Sequence, residues 1–169
     1  MKRITTIILA VILLLGTTAC GSDGGNSGNN DGDNGAVPPF TFTSPEELAQ
    51  KVMEEIEIPG EAKIGEERLN EFFPDLDITG ITDFSYYICA SGFQPDELFI
   101  ARFLSAPRAD NAKADVEVRL ESRKGTFADY SPEEMYKLES AVIYVEGMWL
   151  FFIVTEDNVK AKQIIDKNK

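Results

Sequence analysis

The densest hydrophobic stretch outside the N-terminus covers residues 141–155 and is interrupted at Glu146 and Gly147. Two β-branched and aromatic runs around a glycine predict a β-hairpin. If the turn passes through Glu146-Gly147 or through Gly147-Met148, alternation along the strands divides the side chains between two faces. One face then carries Val142, Tyr144, Trp149, Phe151 and Ile153. A three-residue loop with a bulge at Gly147 would change this division. Since both faces are apolar, both need cover.

An earlier hairpin is predicted from residues 84–91 and 98–104, because turn-forming residues separate these two apolar runs. A helix over residues 110–124 follows, since apolar residues recur there at helical spacing, and Gly125 is its predicted C-cap. The hairpin of residues 141–155 is likewise followed by a helical pattern. The chain therefore contains the order strand, strand, helix twice.

Two segments have the composition of helix N-termini. Residues 44–47, Ser-Pro-Glu-Glu, combine a serine N-cap, a proline in the first turn and a glutamate that closes a capping box. Residues 131–134 repeat these four residues. They predict a helix at the start of the domain and a short helix before the second hairpin. Another short helix is predicted over residues 66–73.

Together these elements predict an α+β fold with one antiparallel sheet of about four strands. The sheet is built from two ββα units, the helices lie mainly on one face, and extra N-terminal helices precede it. Composition divides the chain into three parts. Residues 1–19 form a signal peptide, residues 20–39 a flexible tether rich in Gly, Asn and Asp, and residues 40–169 a single domain.

The first twenty residues have the anatomy of an export signal. Two basic residues precede an apolar run over residues 7–16, which is too short for a stable membrane span. The cysteine at position 20 resembles that of the bacterial lipoprotein signal, which is acylated. Thr17 departs from that pattern, in which leucine is usual, so cleavage after Ala19 by the ordinary signal peptidase is the alternative. Lipidation of Cys20 predicts an anchor on the outer face of the cytoplasmic membrane.

The charge balance narrows the class of partner. The chain has 16 basic and 29 acidic residues, a formal net charge of −13. Such a surface repels phosphate groups, so it excludes nucleic acid and disfavours electrostatic docking on anionic lipids. An envelope protein or a glycan is the expected partner class.

Most catalytic chemistry is excluded by composition. The chain has no histidine, which removes Ser-His and Cys-His nucleophile pairs and histidine-based zinc sites. Adjacent glutamates occur at 46–47, 54–55 and 133–134. Favourable interaction with helix dipoles explains them better than a role as acid–base pairs. We therefore predict no catalytic residue and no cofactor. A carbohydrate-active hydrolase that uses paired carboxylates is the alternative function.

Two further features are candidates for a functional site: a segment that resembles a calcium-binding loop, and Cys89. Residues 75–80 begin like a calcium-binding loop, but Tyr86 stands where the bidentate glutamate is required. We predict a capped turn there and no metal site. Cys89 lies in a strand-like apolar run, which indicates a small buried residue, with a reactive thiol as the alternative. If Cys20 is acylated, no intrachain disulfide can form.

The binding residues predicted from the sequence are Tyr144, Trp149 and Phe151. Core packing beneath helices would account for this aromatic face equally well. The functional interpretation is a face that is only partly covered and forms a groove for a peptide, a glycan or a partner protein. What covers this face decides between the two.

The C-terminal half resembles a family of small bacterial lipoproteins known as domain of unknown function 4358. A Tyr-x-Pro-x-Glu segment, a short apolar run, the hairpin glycine and a closing helix carry the resemblance. The residues concerned are Tyr130, Pro132, Glu134, Leu138, Ala141, Gly147 and the helix of residues 158–167. The resemblance implies lipid anchoring outside the cytoplasmic membrane, in a Gram-positive bacterium. It implies no activity, cofactor or catalytic residue.

Overall fold

One antiparallel sheet organises the computed structural model, which describes residues 44–167. Within that range the sheet has five strands. They are β1 (Glu61–Lys63), β2 (Ile81–Cys89), β3 (Glu97–Phe103), β4 (Val142–Glu146) and β5 (Trp149–Val154). Their spatial order is β1-β2-β3-β5-β4, and every neighbouring pair is antiparallel. The predicted signal peptide, Cys20 and the tether lie outside the described residues.

Five α-helices and three 3-10 turns accompany the strands in the described residues. The helices are α1 (Pro45–Met53), α2 (Leu69–Phe72), α3 (Ala106–Tyr130), α4 (Met135–Glu139) and α5 (Asn158–Asp166). The 3-10 turns are Glu66–Arg68, Ile78–Gly80 and Pro132–Glu134. The units β2-β3-α3 and β4-β5-α5 confirm the predicted α+β fold with two ββα units.

The prediction of about four strands missed β1. This strand has three residues and pairs with the end of β2, with Glu61 opposite Cys89 and Lys63 opposite Tyr87. Two of its three residues are charged and exposed. A segment this short and polar has no hydrophobic alternation to detect, so only its pairing with β2 identifies it as a strand.

The prediction that the helices lie mainly on one face of the sheet is wrong. One hydrophobic cluster packs α2, α3 and α4 against one face, and a second packs α1 and α5 against the other. The reason is that β3 and β5 are buried on both faces, and each of residues 98–101 and 150–154 is completely buried. Apolar side chains on both faces of a strand pair require cover on both.

The long helix α3 corrects the predicted C-cap at Gly125. The helix continues through Gly125 to Tyr130, where the N–H of Ser131 donates to the carbonyl of Phe127. The second predicted capping box is also wrong. Ser131 accepts no hydrogen bond from the backbone of the following turn, and its hydroxyl donates instead to Glu133 Oε1 at 2.8 Å. At the first box, Ser44 Oγ accepts from the N–H of Glu47 at 3.2 Å, as predicted.

The register of the second hairpin confirms the predicted division of its faces. Glu146 pairs with Trp149, so the turn consists of Gly147 and Met148. Gly147 has a φ of +58°, which favours glycine. The pairing puts Tyr144 and Phe151 opposite each other on the face that α1 and α5 cover.

Glu46 links α1 to the sheet through hydrogen bonds and an ion pair. Its carboxylate accepts hydrogen bonds from Ser85 Oγ at 2.6 Å, Tyr87 Oη at 2.7 Å and Gln50 Nε2 at 3.0 Å, and it pairs with Lys63 Nζ at 2.8 Å. Burial raises the pKa of Glu46, but these donors, Lys63 foremost, lower it from its ordinary value of 4.5 to about 2. The ionised form of this carboxylate is therefore the one that stabilises the folded state.

Alanine at Gly147 and at Gly125 should change stability in opposite directions. At Gly147 the positive φ makes a Cβ atom cost roughly 1–2 kcal/mol. At Gly125 an added Cβ atom meets no heavy atom within 4 Å, and alanine favours a helix over glycine by about 1 kcal/mol. Urea unfolding should give a lower free energy of unfolding for Gly147→Ala and a higher one for Gly125→Ala. A destabilised Gly125→Ala variant would contradict the helical conformation at that residue.

The Glu46 contacts should contribute to acid sensitivity. Because the folded-state pKa lies below the ordinary value, the stabilisation is present above pH 4.5 and is lost as the pH falls towards about 2. The Glu46→Gln variant should be less stable than the wild type at pH 7, and the difference should shrink across this window. Thermal unfolding followed by circular dichroism at several pH values measures it. The control is Glu54→Gln, which breaks only an exposed pair with Lys51 and should change stability little at any pH.

Candidate functional site

The three aromatic residues predicted from the sequence lie together. The ring of Phe151 stacks on Tyr144 with centroids 4.6 Å apart and on Trp149 with centroids 6.2 Å apart. Phe151 is completely buried, whereas Tyr144 and Trp149 are half-buried. Phe151 therefore supports the other two rings from within, and only Tyr144 and Trp149 have surface that a partner could touch.

Helix α5 covers part of this aromatic face. Lys162 Nζ lies 4.8 Å from the centroid of the Tyr144 ring and pairs with Asp166 Oδ2 at 2.5 Å. The Tyr144 hydroxyl is buried and has no hydrogen-bond partner among the described residues. Burial, followed by the charges of Asp166 and Glu146, raises the pKa of Tyr144 above its ordinary value. The hydroxyl therefore stays protonated, and the face combines core packing with a partly open rim.

A second aromatic surface is more exposed. Phe93, in the turn between β2 and β3, is 63% exposed, and Tyr130, at the end of α3, is 58% exposed. Their rings stack with centroids 6.1 Å apart and planes 19° from parallel. Phe127 packs edge-on against Tyr130 from the core, and Arg123 lies over the Phe127 ring at 4.6 Å. We call the pair of exposed rings the Phe93–Tyr130 platform.

A buried carboxylate lies at the same end of the sheet as the platform. Glu97, the first residue of β3, is 1% exposed. It accepts hydrogen bonds from Arg119 Nε at 3.0 Å and from the hydroxyl of Tyr86, and Arg123 Nε lies 3.7 Å from it. Burial and the neighbouring Glu97 raise the pKa of Tyr86 well above its ordinary value, so the phenol remains a donor. These contacts fix α3 against the first hairpin.

Lys137 is the centre of a second cluster of charged residues, next to Glu97. We call the two clusters together the charge network. The residue is 2% exposed, and its Nζ donates to Asp96 Oδ2 at 2.9 Å and lies 3.0 Å from Glu134 Oε2 and 3.4 Å from Glu156 Oε2. Burial alone would lower the pKa of Lys137, but Asp96 and Glu134 raise it above its ordinary value. Asn158 Nδ2 donates to the Lys137 carbonyl at 2.9 Å. Lys137 therefore connects α4 to the first hairpin and to α5.

Sequence reasoning missed both the platform and the charge network. Charged residues on amphipathic helices are normally solvated, so nothing in the pattern marks Lys137 as buried or Arg119 and Arg123 as partly buried. One indication was available. Tyr130 and Glu134, which carry part of the family resemblance, lie at this end of the molecule, where Tyr130 forms the platform and Glu134 contacts Lys137.

The carboxylates that could serve a hydrolase lie in different surroundings. Glu54 and Glu55 pair with lysines at the surface, and Glu46 is engaged with the sheet. Asp75 and Asp115 share a pocket of about 230 Å³, and burial followed by the charge of Asp75 raises the pKa of Asp115. Sites for drug-sized ligands are usually about 300 Å³ or larger, so this pocket is small. The hydrolase alternative stays a prediction.

The calcium-like segment and the cysteine have local structural explanations. Asp77 accepts hydrogen bonds from the N–H and the hydroxyl of Thr79 and pairs with Arg108 at 2.5 Å, which confirms a capped turn. Within residues 44–167, no group of three or more His, Cys, Asp or Glu residues is arranged to hold a metal ion. Cys89 is buried, as predicted, with its Sγ 3.1 Å from Ser91 Oγ.

Comparison with known proteins identifies the family but no activity. None of the helices in the described part of the chain is long and apolar enough to cross a membrane. No curated protein and no solved structure matches the chain. One family model matches residues 54–155, which is more than half of the 169 residues and includes both hairpins, the platform and all of the charge network except Glu156. The chain therefore belongs to the family described as Domain of unknown function (DUF4358).

Proposed function

We propose that this protein is a lipid-anchored, non-enzymatic binding module of the bacterial cell envelope. The anchor is Cys20, which follows a signal-like segment and small residues at a cleavage boundary. Two or more acyl chains on one residue hold a protein stably at a bilayer, whereas one chain binds only marginally. The tether of residues 20–39 then keeps the folded domain near the outer face of the cytoplasmic membrane.

The observation that carries the binding proposal is the exposure of the Phe93–Tyr130 platform. Two stacked aromatic rings that are each more than half exposed lose apolar contact with water when a partner covers them. Aromatic rings bury a large area at low conformational cost, and they are enriched at binding surfaces for that reason. A platform with no other described task is the feature of this domain that best fits recognition.

The elements that carry the platform are held rigidly. Arg119 and Arg123 tie α3 to Glu97, and Lys137 ties α4 to Asp96, next to the turn that contains Phe93. The pair of Lys137 with Asp96 is buried on both sides. Breaking a buried ion pair costs roughly 3–5 kcal/mol, so this contact resists local rearrangement. A surface that is already ordered loses little conformational entropy on binding, which favours affinity.

The net charge of the chain limits the chemistry of the partner. An acidic domain disfavours polyanions, so the partner is a neutral or basic protein segment or an uncharged glycan of the envelope. The partner role predicted for Tyr144, Trp149 and Phe151 is a separate proposal. It depends on the half-buried rims of Tyr144 and Trp149, with Phe151 as their support.

The proposed anchor predicts fatty-acid labelling at one cysteine. Cells grown with an alkyne-labelled fatty acid should incorporate the label into the wild-type protein, which should stay in the membrane fraction after a high-salt wash. The Cys20→Ala variant should lose the label completely, and Cys89→Ala should keep it. An unlabelled wild-type protein whose N-terminus begins at Cys20 would show cleavage by the ordinary signal peptidase and would reject the anchor.

The proposed platform predicts position-specific crosslinking in cells. A photo-crosslinking amino acid at Phe93 or at Tyr130 of the anchored protein should capture the same partner, identified by mass spectrometry. Val159 on α5 is the matched control, because it is 65% exposed but lies outside the platform. Equal capture from all three positions, or capture from Val159 alone, would reject the platform as the binding surface without bearing on the anchor.

A further inference from the structure

The strand β4 forms an open edge of the sheet. Among the described residues it pairs only with β5, and its sequence is Val-Ile-Tyr-Val-Glu without proline, lysine or bulge. The opposite edge, β1, has three residues, of which Glu61 and Lys63 are charged and exposed. Natural sheets protect their edges with short strands and charges. The edge at β1 has this protection, whereas the edge at β4 has only one charged residue, Glu146, at the end of the strand.

The hydrogen-bonding groups on the outer side of β4 can be assigned from the register. The N–H of Phe103 donates to the carbonyl of Met148 at 2.8 Å, so Met148, Leu150 and Phe152 direct their backbone groups towards β3. Alternate residues of a strand bond to opposite sides. Trp149, Phe151 and Ile153 therefore bond to β4 through their partners Glu146, Tyr144 and Val142. The N–H and C=O groups of Ile143 and Val145 then point away from the sheet.

We infer that β4 pairs with β4 of a second copy of this chain, antiparallel and around a two-fold axis at Tyr144. In this register Ile143 of each copy exchanges two hydrogen bonds with Val145 of the other. Tyr144 lies opposite Tyr144 of the second copy in a pair without backbone hydrogen bonds, with Cα atoms about 4.5 Å apart. The two five-stranded sheets become one continuous sheet.

The edge is complementary to itself in shape and charge. The register centred on Tyr144 pairs all five residues of the strand, and neighbouring registers leave residues unpaired. Glu146 is the only carboxylate in β4. In this register it lies opposite Val142 of the second copy, so no like charges face each other. Aromatic pairs directly across two strands are stabilising. These features favour a second copy over a foreign strand as the occupant.

The net charge of the chain does not prevent this pairing. The full chain has a formal charge of −13, and an acidic chain opposes association over long distances. At physiological ionic strength, charges beyond about 8 Å are largely screened. The edge itself is mainly β-branched and aromatic, so the contact region contributes little of that repulsion.

Disulfide trapping in the membrane tests the pairing with the full chain. Tyr144→Cys should give a covalent homodimer under mild oxidation, because the two Cα atoms lie within bridging distance. Lys63→Cys on the β1 edge is the control, and it should give roughly tenfold less dimer, since cysteines with Cα atoms more than about 7 Å apart do not bridge. The wild type, which keeps both native cysteines, sets the background on a non-reducing gel.

A second set of variants tests the register and does not depend on the Tyr144 side chain. Val142→Cys alone should give no dimer, because residue 142 lies four positions from its own copy, roughly 13 Å along the strand. Co-expressed Val142→Cys and Glu146→Cys should give the mixed dimer. Adding Val145→Pro to both should abolish it, since the proline removes an outward donor and leaves the bonds between β4 and β5 intact.

Three outcomes would overturn the inference. The first is the absence of dimer both with Tyr144→Cys and with the mixed pair. The second is equal dimer from Tyr144→Cys and Lys63→Cys, which would indicate random collision. The third is a disulfide between position 144 and a different protein, which would identify a foreign strand on this edge.

Discussion

The two-sided burial of β3 and β5 is the constraint on which the rest of the structure depends. Every residue from Leu98 to Ala101 and from Leu150 to Val154 is inaccessible to water. A strand pair that is apolar on both faces cannot leave either face to solvent, so α1 and α5 pack on one side and α2, α3 and α4 on the other. The strands β1 and β4 flank this covered centre and form the two edges of the sheet.

Ion pairs with buried carboxylates fix the orientation of α3 and α4 on the sheet. Asp96 precedes the second strand of the first hairpin and Glu97 begins it, at a position where solvent would normally hydrate both. Here Lys137, Arg119 and Arg123 neutralise them from two helices. A buried ion pair adds little net stability over a hydrophobic replacement, but it is costly to break and therefore specifies one arrangement. In this domain that arrangement orders the turn and the helix end from which Phe93 and Tyr130 project.

The elements that could be predicted from the sequence are those whose signals are local. Gly147 located the turn of the second hairpin, but the register stayed open because both faces are apolar. The pairing of Glu146 with Trp149 fixes it in the structure. Gly125 misled the prediction, since glycine after an apolar pattern usually ends a helix. In the structure, Phe127 is buried beyond it, and that packing outweighs the helix penalty of about 1 kcal/mol for one glycine.

By itself, the sequence determined the fold class, the two ββα units, the aromatic face of the second hairpin and the absence of histidine chemistry. These depend on periodicity, composition and turn residues, which are properties of neighbours along the chain. The tertiary structure decided the side of the sheet on which each helix lies, the burial of Lys137, the pairing of Arg119 with Glu97, the contact of Phe93 with Tyr130 and the open edge of β4. Each of these joins residues far apart in the chain, and a local pattern contains no information about which distant surface a side chain will meet.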